Sequence, residues 1–133
     1  MAKILEIKAL YEEKINEGYQ YNKYDGFEIK TDKGSILIAI DSDQGCCESF
    51  GSISSVEDFS KFIGTNILSY RCIDQADYKD CELTKNKAGD FVDVFDCAFV
   101  DFMTDKGTLQ FAVYNHHNGY YGHHIILIER IKK

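Results

Sequence analysis

Much of this chain alternates apolar and polar residues with the period of two that a pleated strand imposes. Phe27–Thr31 and Ser35–Ile40 read as strands on either side of Asp32-Lys33-Gly34. Three residues ending in Gly between two such runs predict a hairpin, a type I turn closed by a glycine at positive φ. Asn66–Asp74, Phe91–Thr104, Thr108–Asn115 and Ile125–Ile131 read as further strands, and Asp105-Lys106-Gly107 as a second turn of the same kind. Lys3–Ile15 alternates weakly and, lacking a cap, fits a strand better than a helix. The helical pattern is short. Ser54 or Ser55 can cap Val56–Ile63, Glu57 and Asp58 stand in its first turn, and Gly64 stops it. Gln75–Asp90 and His116–His124 are polar and read as loops.

These elements predict an α+β fold for a single domain over residues 1–133. A mostly antiparallel, twisted sheet of about six or seven strands carries one short helix on its face. Phe59, Phe62 and Ile63 of the helix are expected in the core with Ile36, Ile38, Leu68, Val100, Leu109, Phe111 and Ile126. The chain has no proline, so every residue keeps a backbone donor for pairing.

The two turns belong to a longer repeat. Thr31–Ile40 and Thr104–Val113 share five of ten residues (Thr, Asp, Lys, Gly and Ala), more than a turn alone requires. Each copy leads into a polar loop. One loop holds Gly45-Cys46-Cys47-Glu48-Ser49-Phe50-Gly51, the other His116-His117-Asn118-Gly119-Tyr120-Tyr121-Gly122-His123. Two equivalent hairpins in one sheet would send both loops to the same end and form a site between them.

Composition narrows the chemistry. The net charge of −7 disfavours duplex DNA or RNA, which needs a basic face. The longest clean apolar run is Ile125–Ile128, too short for a membrane span, and no signal-peptide core is visible. Five scattered cysteines without a disulfide framework point to reduced thiols in a cytosol, with Cys72 and Cys97 as small buried apolar residues. The His cluster with Cys46, Cys47 and Glu48 invites zinc, but adjacent cysteines point apart and structural sites use wider spacing. A Cys–His nucleophile pair lacks any supporting motif, and no phosphate-loop or dinucleotide fingerprint is present. No cofactor, metal or catalytic set is assigned.

A binding site is better supplied. Tyr114, Tyr120, Tyr121 and Phe50 offer flat faces for a base. Asn115, Asn118, His116, His117 and His123 offer donors and acceptors, and Gly119 and Gly122 allow close backbone approach. Either asparagine can instead brace its loop. The chain has two arginines, Arg71 and Arg130, as the strongest partners for an anion.

The Cys-Cys-Glu, Phe62-Ile63-Gly64 and Asn118-Gly119-Tyr120-Tyr121-Gly122-His123 strings together resemble a family of small phage and prophage proteins. Through it they resemble the first-described Thoeris anti-defence proteins. The layout covers about two thirds of the chain. The resemblance implies a non-catalytic sponge that sequesters a cyclic ADP-ribose isomer or a related cyclic nucleotide in the host cytoplasm, working as a homo-oligomer built from dimers. Uncovered sheet edges give a separate physical reason to expect oligomers. Two other readings stay open. One is a small metal- or thiol-dependent enzyme using the Cys-Cys and His-rich loops. The other is a phage protein that binds a host protein through its acidic surface.

Overall fold

The computed structural model describes residues 2–14, 23–41, 49–74, 83, 94–117 and 125–131. Within them run eight strands: β1 (Ile4–Lys14), β2 (Lys23–Thr31), β3 (Gly34–Asp41), β4 (Ser49–Ser54), β5 (Ile67–Ile73), β6 (Val94–Thr104), β7 (Gly107–His117) and β8 (Ile125–Glu129). They form two antiparallel four-stranded sheets, ordered β1-β2-β3-β8 and β4-β7-β6-β5. The expectation of a mostly antiparallel β structure holds. The expectation of one sheet does not, because each sheet buries an apolar face against the other. Ile4, Phe27, Ile29, Ile36, Ile38 and Ile40 of the first meet Ile67, Val100, Phe102, Leu109, Phe111 and Val113 of the second.

Both Asp-Lys-Gly hairpins form, one in each sheet rather than side by side. Gly34 and Gly107 have φ of 136° and 121°, while no residue of either turn other than glycine has positive φ. That combination is the predicted type I turn with a glycine at its end. Each turn is locked in the same way. The Thr31 hydroxyl donates to the Gly34 carbonyl (2.8 Å) and accepts from Lys33 N–H (3.1 Å). The Thr104 hydroxyl donates to Gly107 (2.6 Å) and accepts from Lys106 N–H (3.1 Å).

The equivalence extends to the strands of both halves. Ile38–Leu127 and Ala39–Ile126 in the first sheet correspond to Phe111–Ser54 and Ala112–Ile53 in the second, at one constant offset. Thus β1-β2-β3 and β5-β6-β7 are like units, and each lends its next strand, β4 or β8, to the other sheet. The units meet on a pseudo-two-fold axis at a bridge between Lys3 and Asn66. Ile4 N–H donates to Thr65 O (2.9 Å), and Ile67 N–H donates to Ala2 O (2.7 Å). The first bulge of each half matches too. Leu5 and Leu68 are each skipped in the ladder one residue into their strand, which turns them outward at 53% and 56% exposure. This is why Leu68, expected in the core, is exposed.

Two further expectations are corrected. Val56–Ile63 is not an α-helix but an irregular segment ending in a 3₁₀ turn at Ser60–Phe62. The Asp58 carboxylate takes Ser60 N–H (2.9 Å), and the Ser54 hydroxyl donates to Val56 O, so side chains hold the backbone in local turns. Phe59 and Phe62 still reach the core, Phe62 at 1% exposure, while Ile63 is 44% exposed. Phe59 packs with Phe27 and Phe111 at centroid distances of 6.1 and 5.7 Å. In addition, Ser49–Gly51, read as the end of a loop, belong to strand β4, which runs on to Ser54. Its serines and glycine carry little strand propensity, and its pairing with β7 supplies the order.

Candidate functional site

The strand ends that frame the two polar loops are cross-paired. Ile40, which leads into the Cys-Cys loop, pairs with Ile125, which follows the His/Tyr loop. His116, which leads into the His/Tyr loop, pairs with Ser49, which follows the Cys-Cys loop. Both pairs of strand ends therefore lie at one end, opposite the two Asp-Lys-Gly turns. This follows from strand exchange: each half lends its fourth strand to the other sheet, so the strand ends before and after each loop belong to different sheets.

The candidate residues divide by place. Phe50, His116 and His117 lie in the backbone at the crossover end, the first two directly opposite Asn115 and Ser49 in the β4–β7 ladder. Asn118, Tyr120, Tyr121, His123, Cys46 and Cys47 lie outside the described residues, as does Cys81. Asn115 is fully buried at the top of the inner face, where a polar side chain suits bracing. Tyr114 points to the outer face and is 8% exposed. A Cβ on Gly51 would meet its ring at 3.5 Å and its hydroxyl at 3.3 Å, so the ring packs closely against the glycine. Tyr114 is thus packed rather than offered to a ligand.

The two arginines are not brought to this end within the chain. Arg71 stands on the outer face of the second sheet. Its guanidinium donates to Asp101 Oδ2 at 2.7 Å and lies over Phe99, 5.1 Å from the ring centre. Asp101 pairs with Gln110, five residues before Asn115, or about 17 Å along the strand. Arg130 follows β8 at the turn end, where its N–H donates to Ser35 O (2.8 Å).

The sequence pattern did not point to a cavity of about 320 Å³ on the outer face of the second sheet. Ser69, Tyr70, Arg71, Asp101, Met103 and Thr108 line it. The equivalent positions on the first sheet carry charge, with Glu6 opposite Lys30, Lys8 opposite Glu28, and Lys30 within 3.7 Å of Glu28. Nor did it point to a link between the sheet edges, where the Tyr70 hydroxyl donates to Glu129 Oε1. That bond, then partial burial, pushes the Tyr70 phenol up to about 12. Burial, with the Glu129 charge, pushes the neighbouring Cys72 thiol up to about 11. Cys72 therefore stays a thiol at neutral pH and is a poor nucleophile. Among the described residues no three His, Cys, Asp or Glu side chains converge to hold a metal. No described helix is long and apolar enough to cross a membrane.

No curated protein and no solved structure matches the chain. One family model does, over residues 2–127, which spans both sheets and both crossover loops. The chain belongs to the family described as a domain of unknown function, DUF7448.

Proposed function

We propose that this chain is a phage anti-defence protein of the sponge type. It binds a cyclic ADP-ribose isomer or a related cyclic nucleotide immune signal in the host cytoplasm and holds it without degrading it. The observation that carries the reading is the cross-pairing of Ile40 with Ile125 and of Ser49 with His116, which frames the two polar loops at one end. Those loops hold the aromatic and amide groups that a base would meet, Tyr120, Tyr121, Phe50 and Asn118 among them. The resemblance to the first-described Thoeris anti-defence proteins rests on the same strings.

The test is retention. The protein is incubated with the products of TIR-domain and cyclic-nucleotide defence enzymes, freed of unbound ligand, heat-denatured, and the release analysed by mass spectrometry. An intact signal in near-stoichiometric amount is expected. Changing Tyr120 and Tyr121 together to Ala should abolish retention with the strand signal in circular dichroism unchanged, since stacking on a base contributes about 1–3 kcal/mol per ring. A cleaved product would move the reading to an enzyme. A folded protein that retains none of these signals would reject the sponge.

A further inference from the structure

We propose that the cavity on the outer face of the second sheet binds a small primary amine, whose ammonium group donates to the second carboxylate oxygen of Asp101. Asp101 stands in the wall of this cavity of about 320 Å³. Its Oδ2 accepts from the Arg71 guanidinium at 2.7 Å. Its Oδ1 is buried and has no hydrogen-bond donor among the described residues. A buried carboxylate oxygen left without a donor is costly, and an ionised carboxylate only accepts. The absent partner therefore brings an N–H or an O–H.

The internal repeat indicates which donor belongs there. Arg71 opposite Asp101 in the second sheet corresponds to Lys8 opposite Glu28 in the first. Ser69 opposite Met103 corresponds to Glu6 opposite Lys30. In the first sheet the Lys30 ammonium comes within 3.7 Å of Glu28 Oε1. Glu28 thus has one lysine across the ladder and a second on its own strand, two residues on and on the same face. In the second sheet Arg71 takes the place of the first lysine, but Met103 stands where the second would be. Ser69 stands where its glutamate partner would be. Methionine and serine in place of a lysine–glutamate pair remove the second ammonium. They also leave room, because the serine side chain is short and Met103 extends into solvent at 55% exposure. The carboxylate is kept, its second cation is not, and a cavity lies where that cation would stand.

A ligand ammonium restores the arrangement of the first sheet. It carries three N–H donors, one for Asp101 Oδ1, while the hydroxyls of Ser69 and Thr108 in the same lining accept from the others. Met103 offers an apolar wall to the alkyl chain. The net charge of −7 draws cations to the surface and favours an ammonium over a neutral donor. The volume suits a short diamine rather than a larger ligand. This site lies apart from the crossover end, and it stands or falls independently of the ligand reading above.

Putrescine is titrated into the wild-type protein by calorimetry, and the Met103 methyl signal is followed by NMR of methyl-labelled methionine. Saturable binding with a shift at Met103 is expected. Tetramethylammonium, a cation with no N–H to donate, should bind about tenfold more weakly or not at all. Met103→Lys rebuilds the arrangement of the first sheet. It should fold, melt at a higher temperature than the wild type, and lose about tenfold or more in affinity for putrescine, because its own ammonium takes the carboxylate oxygen. Asp101→Asn should lose a similar factor, that of a charged hydrogen bond. A Met103 signal that does not move at millimolar putrescine, an equal response to tetramethylammonium, or undiminished binding in Met103→Lys overturns the proposal.

Discussion

Tyr70 ties one sheet edge to the other through Glu129, and that tie depends on pH. The Tyr70 phenol is pushed up to about 12 because its neutral form donates to Glu129. A raised folded-state value means a contribution intact below the unfolded value, near 10, and lost as pH climbs toward 12. Cys72 acts in the same direction between 9 and 11. Denaturant midpoints should therefore fall from about pH 9 upward. Tyr70→Phe should lose about 1 kcal/mol at neutral pH and show a shallower fall above about pH 10, as read by urea titration across pH. Gly34 and Gly107 occupy equivalent turns but have unequal surroundings. A Cβ on Gly34 would lie 1.7 Å from the Arg130 carbonyl oxygen, whereas one on Gly107 meets nothing within 4 Å. Gly107→Ala should cost about 1–2 kcal/mol from backbone strain alone. Gly34→Ala should cost clearly more, because β8 must move, and chemical denaturation of the two variants compares them directly.

Among the elements, the closed end illustrates what the repeat is for. Asp32 N–H donates to Lys3 O (3.1 Å) while Asp32 Oδ1 accepts from Lys3 N–H (2.8 Å). Asp105 N–H donates to Asn66 O and Asp105 Oδ1 accepts from Asn66 N–H, both at 3.2 Å. The Asp of each Thr-Asp-Lys-Gly turn thus holds the segment leading into its unit's first strand, which accounts for an identity that a turn alone leaves unexplained. Asp32→Ala and Asp105→Ala should each lose about 1 kcal/mol, by similar amounts, in thermal or urea unfolding. A large loss for one and none for the other would mean that the two contacts are not equivalent in energy. The short helical pattern failed for a physical reason at this scale. Phe59 and Phe62 are spaced for a helix face, but side-chain hydrogen bonds from Ser54 and Asp58 hold the segment in tighter turns.

On the scale of the whole molecule, exchange of β4 and β8 makes the halves interdependent. A fragment ending near Glu57 contains β1–β4, yet the partner of its β4 is β7 in the other fragment. Residues from Asp58 onward contain β5–β8, yet the partner of their β8 is β3. Each half alone leaves a fourth strand unpaired and an apolar sheet face uncovered, about 25 cal/mol for each Å² left in water. The two fragments should be unfolded or aggregated separately and should regain the strand signal in circular dichroism when refolded together. Two independently folded fragments would contradict strand exchange.

The strands whose alternation is strong, both hairpin turns with their positive-φ glycines, and the existence of a repeat are legible in the residue pattern. These depend on contacts a few residues apart, so the pattern contains them. It also singled out the two loops, because Tyr, His, Asn and Cys concentrate there. Only the tertiary structure decided that the hairpins sit in opposed sheets, that β4 is a strand despite its serines, and that Leu68 turns outward at a bulge. It alone placed Arg71 against Asp101 and Arg130 at the far end from the crossovers. Those outcomes depend on which strand pairs with which across most of the chain. Period-two alternation says that a residue faces one side of a sheet, and the partner strand decides what that side meets.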